Sequence, residues 1–183
     1  KILRTPNLQY FGNLSIGDDA DLSLSDLRSL GFQAILVTTG AQGTKWLGLV
    51  GEELTGVYHA KDVVYFYNHL PPFSQKDFRF GSRCLVVGAG NVMIDIARYL
   101  IREAKVDEVT ALVRRGPAEV KFTKKELEYV AANLDLDLLD AEMERCAENM
   151  RSNNQDPQAA KDFLLSALPK AAPKVSDTMF SFR

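Results

Sequence analysis

The amino-acid sequence predicts an α/β fold, a doubly wound, Rossmann-like parallel sheet with helices on both faces. The first observation is a short apolar run, Cys84–Val87, that suits a buried strand and leads directly into the turn Gly88-Ala89-Gly90. The second is the helical spacing of apolar residues after that turn, at Val92, Ile96, Leu100 and Ile101. The third is another buried-strand run, Val109–Val113. Together they make one βαβ unit.

The glycine turn has a physical use. A helix that begins right after it directs unpaired backbone N–H groups, and the positive end of its dipole, at the space above the turn. A pyrophosphate is the natural occupant of that space. Gly88 permits the turn, and Gly90 lets phosphate oxygens approach the backbone at Asn91 and Val92. Gly-x-Gly also occurs in purely structural turns, but a strand before it, a helix after it and a second strand at the right distance favour nucleotide binding.

Two adjacent arginines decide which nucleotide is expected. Arg114 and Arg115 follow the second strand, where an NAD-selecting protein usually carries a carboxylate bonded to the ribose 2′-hydroxyl. A guanidinium there would instead bind a 2′-phosphate in a fork. Asp107 and Glu108 lie at the wrong end of that strand to take the carboxylate's role. The pattern favours NADP(H) over NAD(H); the alternative is two solvated basic residues that close a strand.

The composition excludes several functional classes. The 183 residues are 46% hydrophobic and 25% charged, with a net charge of −2 and a pI of about 5.7, so nucleic acid is not an expected partner. No apolar run approaches the roughly 18 residues of a membrane helix, so no membrane insertion is expected. Cys84 and Cys146 form neither a CxxC pair nor a zinc site, and two lone cysteines suit a reducing, cytoplasmic compartment.

The segments before the βαβ unit are less regular. The sequence predicts a weak strand near Asn7–Phe11, then a short helix capped by Ser23, with Asp26 at its third position and Gly31 after its end. A buried strand is predicted at Ala34–Val37. After a glycine-rich loop, Ala60–Leu70 reads as a helix whose aromatic residues either pack in the core or form a wall for a flavin or nicotinamide ring.

The segments after the βαβ unit contain further helices and strands. Thr123 and Glu126 have capping-box spacing, which predicts a helix to about Asn133. The strict alternation of Leu134–Leu138 predicts a third strand, next to the strands at 83–87 and 109–113. The remaining predicted elements are helices at about Ala141–Arg151 and Pro157–Leu168 and the start of a strand at Val175–Arg183. His59 and His69 have no nucleophile or carboxylate arranged around them, so the sequence supports neither a metal site nor a catalytic residue.

With these residues in view, the sequence resembles the flavin-containing, NADPH-using oxidoreductases typified by adrenodoxin reductase and the small subunit of glutamate synthase. Four segments carry the resemblance, and the last is specific to the adrenodoxin reductase branch. They are Thr39-Gly40-Ala41; Gly51-Glu52 with Gly56-Val57-Tyr58; Gly88-Ala89-Gly90-Asn91-Val92 with Asp95; and Arg114-Arg115-Gly116-Pro117 with Phe122-Thr123 and Glu126-Leu127.

The resemblance implies roles for individual residues. Asn91 and Val92 would offer backbone N–H groups to the pyrophosphate, and Arg114 and Arg115 would hold the 2′-phosphate. Glu126 lies where the family's glutamate orients the adenosine end of NADP. The implied reaction is hydride transfer between NADPH and FAD, followed by electron delivery to an iron–sulfur protein. The acceptor is either a ferredoxin-like protein or a glutamate synthase-type partner subunit.

The chain departs from the family pattern in two ways. Met93 stands where the family has a small alanine, so it is expected to push the helix outward or weaken dinucleotide binding. The family's FAD-binding glycine fingerprint and its closing Gly-Asp segment do not occur. Residues 1–41 are therefore interpreted as a remnant of an FAD-binding domain, and 42–183 as an NAD(P)-binding domain incomplete at its carboxyl end.

Two hypotheses for function follow. In the first, the chain is the NADP(H)-binding module of a flavin-dependent oxidoreductase and is inactive alone, with FAD bound only by the full-length protein. In the second, it is a non-catalytic nucleotide-sensing or interaction domain, which the lack of acid–base residues supports.

Overall fold

A computed structural model describes residues 2–41 and 43–183. They group into two compact units, Lys1–Gly43 and Thr44–Arg183. The second unit contains the βαβ segment and the buried core.

The first unit has little regular structure among its described residues. Its one α-helix, α1 (Leu24–Ser29), confirms the helix predicted from Ser23, whose hydroxyl accepts a hydrogen bond from Asp26 N while the Asp26 carboxylate accepts one from Ser23 N. The strands predicted at Asn7–Phe11 and Ala34–Val37 are wrong. None of the described residues in this unit is buried, and Leu36 is 87% exposed. An apolar run becomes a strand only when a neighbouring strand pairs its backbone groups, and none does so here.

The second unit begins with an aromatic helix, α2 (Ala60–Tyr67), which confirms the predicted helix with an end three residues earlier. Tyr67 stacks on Tyr99 with ring centroids 5.1 Å apart, and Phe66 lies 4.6 Å from Phe78. Val63 is buried and belongs to the hydrophobic core. These contacts favour the core interpretation of the aromatic residues over a cofactor wall.

A three-stranded parallel sheet forms the centre of this unit. The strands β1 (Arg83–Val87), β2 (Glu108–Leu112) and β3 (Met179–Phe182) lie in the order β1-β2-β3. The first two confirm the predicted strands. The third lies within the predicted strand segment Val175–Arg183, and its partner is β2.

The helix between β1 and β2 follows from its apolar spacing. This helix, α3 (Asn91–Tyr99), continues as one π-helical turn, Leu100–Ala104, and ends at Lys105 in the left-handed conformation. Its inner side is fully buried at Ile94, Ala97 and Ile101. It packs on both β1 and β2, as a crossover helix must to join two parallel neighbours.

The strand predicted at Leu134–Leu138 is wrong, because a capping aspartate turns this segment into a helix. Asp135 is the N-cap of α5 (Leu136–Ser152), and its carboxylate accepts a hydrogen bond from Leu138 N at 2.9 Å. The preceding Leu134 contributes only an isolated bridge to Phe180. The alternating leucines and aspartates therefore lie at the N-terminus of a helix. The helix predicted from Ala141 begins five residues earlier, at Leu136.

Two shorter helices complete the helical layer. The helix α4 (Lys124–Leu127) ends sooner than predicted and is followed by a 3-10 turn, Ala131–Asn133. The helix α6 (Pro157–Leu165) confirms the predicted helix with an end three residues earlier. The helix α4 packs against α3 and α6, and α6 also packs against α5. Leu127 of α4 and Leu164 of α6 belong to the core that includes Val109 and Phe180.

The described helices between the strands of the second unit cover one face of its sheet. Each strand of the order β1-β2-β3 is added on the same side of the one before it. Right-handed crossovers between strands added in one direction place their helices on the same face of the sheet. On the opposite face Leu85, Val87 and Leu112 stay 60%, 57% and 41% exposed, although Val87 and Leu112 pair across the two strands. The second helical layer of the predicted doubly wound fold is not among the described residues.

Candidate dinucleotide site at the carboxyl edge of the sheet

The glycine turn ends β1 and starts α3 without an intervening loop. Gly88 N donates to Leu112 O at 3.0 Å, which continues the β1–β2 ladder by one bond. Gly88 has φ +137°, in the region that side chains disfavour, and Gly90 is the N-cap of α3. A Cβ placed on either glycine would meet no atom within 4 Å apart from the neighbouring backbone of the turn and helix. The space above the turn is therefore open.

The amino end of α3 leaves backbone donors unused. Gly90 has no side chain to cap the helix, and within the described residues the N–H groups of Gly90, Asn91 and Val92 make no hydrogen bond. The next N–H, that of Met93, donates to Gly90 O at 3.1 Å. Unpaired donors at a helix N-terminus, next to open space, fit a phosphate group.

The side chain of Asn91 ties α4 to the glycine turn. Its Oδ1 accepts a hydrogen bond from Thr123 N at 3.0 Å, and Lys121 N donates to Ala89 O at 2.7 Å. Thr123 caps α4 by accepting from Glu126 N at 3.3 Å. In a capping box the Glu126 carboxylate would accept from Thr123 N, but Asn91 occupies that donor.

As a result, the capping box predicted from the sequence is only half formed. No hydrogen bond or ion pair joins the Glu126 carboxylate to another residue of the described ranges. The half-buried Glu126 side chain thus keeps its acceptor oxygens unused by that part of the chain.

Met93 does not disturb the turn in the way its size predicts. Its side chain is 4% exposed, belongs to the hydrophobic core and does not come within 4 Å of a Cβ placed on Gly88 or Gly90. Helix α3 still packs on β1 and β2. The predicted outward displacement of the helix is therefore not seen, and weaker dinucleotide binding stays a prediction.

Arg114 and Arg115 line a cavity at the carboxyl ends of β2 and β3. The cavity has a volume of about 620 Å³ and is bounded by the segment 113–120, by α5 and α6, and by Phe182 and Arg183. Both arginines are exposed. Arg115 lies 3.6 Å from the Glu119 carboxylate, whereas the Arg114 guanidinium has no ion-pair partner in the described part of the chain.

Three charged residues that line the same cavity, Glu142, Arg145 and Arg183, were not predicted from the sequence. Glu142 is 4% exposed and accepts a hydrogen bond at 2.9 Å from Arg145 Nε, and Arg183 Nη1 lies 3.7 Å from the same carboxylate. Hydrogen bonds from Arg145 hold the pKa of Glu142 below its usual value. The three-residue spacing of Glu142 and Arg145 was visible as a helical ion pair, but nothing in the sequence showed that it faces the edge of the sheet.

Other kinds of site receive no support from the structure. Across residues 2–41 and 43–183, no group of three or more His, Cys, Asp or Glu side chains is placed to hold a metal ion. Both cysteines are free thiols. Among the described helices, none combines the length and apolar character that crossing a bilayer requires.

The described residues contain one strand–glycine–helix start next to open space. The open turn, the unused donors and the arginine-lined cavity suit a phosphorylated nucleotide. A second strand–glycine–helix start, which a flavin dinucleotide would need, does not occur within the described ranges.

Comparison with known proteins points to one group of enzymes. The chain is 32% identical to the mitochondrial NADPH:adrenodoxin oxidoreductase of Arabidopsis thaliana over 71% of its length, and 30% identical to that of Salvelinus fontinalis over 90%. It is 32% identical to NADPH-ferredoxin reductase FprA of Mycobacterium tuberculosis over 76% of its length. The chain spans only 31%, 37% and 34% of these three relatives. No family model matches it.

Solved structures agree with the sequence matches. A structure of M. tuberculosis FprA superposes with a TM-score of 0.70 and 26% identity, covering 99% of this chain and 44% of that one. The structure of FprA in complex with NADPH gives the same TM-score with 25% identity. The chain therefore belongs to the adrenodoxin reductase and FprA family, as a segment of about one third of the length of its curated relatives.

Proposed function

We propose that the chain is the NADP(H)-binding module of a flavin-dependent oxidoreductase. The observation that carries the proposal is the set of three unused N–H groups at Gly90, Asn91 and Val92, which lies beside open space at the carboxyl edge of a parallel sheet. These groups would hold the diphosphate, which carries its charge where the helix dipole is positive. The βαβ unit formed by β1, α3 and β2 supports a Rossmann-like module.

The neighbouring side chains would select the phosphorylated cofactor. Arg114 and Arg115 come one residue after β2 ends, so they would lie beyond the diphosphate in the direction of the adenosine ribose. A guanidinium fork binds a phosphate dianion better than a ribose hydroxyl. The Glu126 carboxylate, which Asn91 leaves unpaired, would accept hydrogen bonds from the adenosine end.

The reaction belongs to the whole protein. There NADPH would pass a hydride to FAD, and electrons would continue to an iron–sulfur partner such as a ferredoxin-like protein. The names of the relatives, NADPH:adrenodoxin oxidoreductase and NADPH-ferredoxin reductase, support this class of acceptor. Residues 1–41 would be a remnant of the FAD-binding domain and 42–183 the NADP(H)-binding domain. The chain alone would bind the nucleotide without turning it over.

Calorimetric titration of the purified chain with NADP+ and with NAD+ tests this proposal. We expect NADP+ to bind at least tenfold more tightly, which corresponds to about 1.4 kcal/mol. Equal affinities would refute the assignment of Arg114 and Arg115, and absent binding would refute the module itself. A full-length protein that purifies without flavin and cannot be reconstituted with FAD would favour the alternative, a non-catalytic nucleotide-sensing domain.

A further inference from the structure

The cavity beside Arg114 and Arg115 carries more positive charge than the sequence pattern indicated. It is lined by four arginines and by two carboxylates, so its described lining has a net charge of +2. The members of this charged set are Arg114, Arg115, Arg145, Arg183, Glu119 and Glu142. A lining of this charge complements a phosphate monoester, which carries close to two negative charges at neutral pH.

One buried carboxylate organises the inner part of this set. Glu142 is 4% exposed, and both of its oxygens accept hydrogen bonds from the Nε and Nη2 atoms of Arg145. Arg183 Nη1 approaches the same carboxylate at 3.7 Å. The Arg145 side chain is nevertheless 66% exposed, and its Nη1 atom makes none of these bonds. A buried anion thus holds a guanidinium in place on a side chain that lines the cavity.

The glycine turn and the lining of the cavity follow one another along the carboxyl edge of the sheet. Gly88 N donates to Leu112 O, and the next residue, Val113, donates to Arg183 O at 2.7 Å. Adjacent strands lie about 4.8 Å apart, so the turn, the end of β2 and Arg183 occupy consecutive positions. A nucleotide whose diphosphate lies over the turn has its ribose beside this cavity.

From this geometry we propose that Arg145, positioned by Glu142, is a further specificity-determining residue that binds the 2′-phosphate end of NADP(H) together with Arg114 and Arg115. The inference rests on the proposed function. In this arrangement Glu142 does not touch the ligand; it is a positioning residue that fixes the guanidinium plane. Its negative charge opposes phosphate binding, but the ordering of Arg145 outweighs that repulsion.

Nucleotide titrations of single variants test the role of Arg145. We expect Arg145→Ala to weaken NADP+ binding about tenfold, as the loss of one charge-assisted contact does, and to leave NAD+ binding unchanged. Arg151→Ala is the matched control, because it removes the same charge from α5 at an exposed position outside the cavity. Adenosine 2′-monophosphate and adenosine 5′-monophosphate serve as small probes, and only the first should lose affinity in Arg145→Ala.

The sign of the Glu142→Gln effect tests the positioning role. If the carboxylate positions Arg145, the amide weakens NADP+ binding; if the carboxylate only neutralises charge, the amide strengthens it. Circular dichroism and thermal unfolding show whether Glu142→Gln folds. Arg145→Lys is a second variant, at an exposed side chain, that keeps the positive charge and removes the guanidinium fork. We expect the lysine to restore less than half of the lost discrimination between NADP+ and NAD+.

The outcomes separate this inference from the proposed function. If the wild-type chain prefers NADP+ and Arg145→Ala behaves like Arg151→Ala, the role of Arg145 is refuted while the module stands. Tighter NADP+ binding by a folded Glu142→Gln variant refutes the positioning role. A wild-type chain that binds neither nucleotide refutes both proposals.

Discussion

Replacing Gly90 by alanine should separate nucleotide binding from folding. Gly90 has φ −107° and ψ 176°, a conformation open to any residue, and its added Cβ would have no atom within 4 Å. Alanine is a poorer N-cap than glycine, which costs up to about 1 kcal/mol. It also reduces the entropy of the unfolded chain, which contributes about 0.4–1 kcal/mol in the opposite direction. The free energy of unfolding should therefore change by less than about 1 kcal/mol.

Binding should respond much more strongly. The methyl group would occupy the space through which a phosphate oxygen reaches the N–H groups of Asn91 and Val92. Loss of one hydrogen bond to a charged group costs about 1.5–3 kcal/mol, so Kd should rise by about 10- to 150-fold. The affinities for NAD+ and NADP+ should fall by the same factor, because both nucleotides carry the diphosphate.

The assay is calorimetric titration with each nucleotide, alongside urea unfolding of the same preparations. Gly81→Ala is the control: it lies before β1, its Cβ would meet only Arg83 O at 4.0 Å, and both stability and affinity should stay unchanged. A folded Gly90→Ala protein whose Kd values stay within about twofold of wild type would refute the claim that phosphate approaches this backbone.

Three further predictions concern selectivity, capping and pH. Arg114→Ala combined with Arg115→Ala should lower the preference for NADP+ over NAD+ by about 1–3 kcal/mol in competitive titrations, and unchanged discrimination would rule out their assigned role. Asp135→Ala should destabilise the chain by about 1 kcal/mol in urea unfolding, because it removes the acceptor for Leu138 N, whereas Asp135→Asn should cost much less. Hydrogen bonds from Arg145 lower the pKa of Glu142 in the folded state, so the ionised carboxylate stabilises the folded chain. This contribution to the free energy of unfolding is complete above the ordinary pKa of about 4.3 and is lost as the pH falls from there through the folded pKa. Urea midpoints measured across that pH range should fall less steeply for Glu142→Gln than for the wild type. Parallel plots of midpoint against pH for the two proteins would contradict this role of the Glu142 pKa.

Some expectations depended on local information and were therefore accessible from sequence. The strand, glycine turn, helix and strand at 83–113 need only apolar spacing and two glycines, and the structure reproduces all four. The helix after Ser23 needs only a cap three residues from an acidic partner. Arg114 and Arg115 could be placed at the carboxyl edge because they directly follow a strand.

Other expectations failed because the deciding interaction lies far along the chain or in the cap chemistry. Leu134–Leu138 alternates like a strand, but Asp135 accepts the helix's own N–H and Phe180 supplies the third strand instead. Ala34–Val37 has the composition of a strand and no strand to pair with among the described residues. Met93 is large for a fingerprint position, but a methionine bends into the space available in the core.

The sequence by itself determined the βαβ unit, the position of its glycine turn and the two arginines that follow the second strand, because each is encoded within a few consecutive residues. Only the tertiary structure decided that β3 comes from residues 179–182, that Asn91 takes Thr123 N and leaves Glu126 unpaired, and that Glu142 brings Arg145 and Arg183 into the same cavity. These contacts join residues 32 to 71 positions apart, or turn one face of a helix toward the sheet. Sequence periodicity carries no information on which distant residue pairs with a given hydrogen-bond donor or charge. The pairing is determined by which groups become buried next to each other when the chain folds.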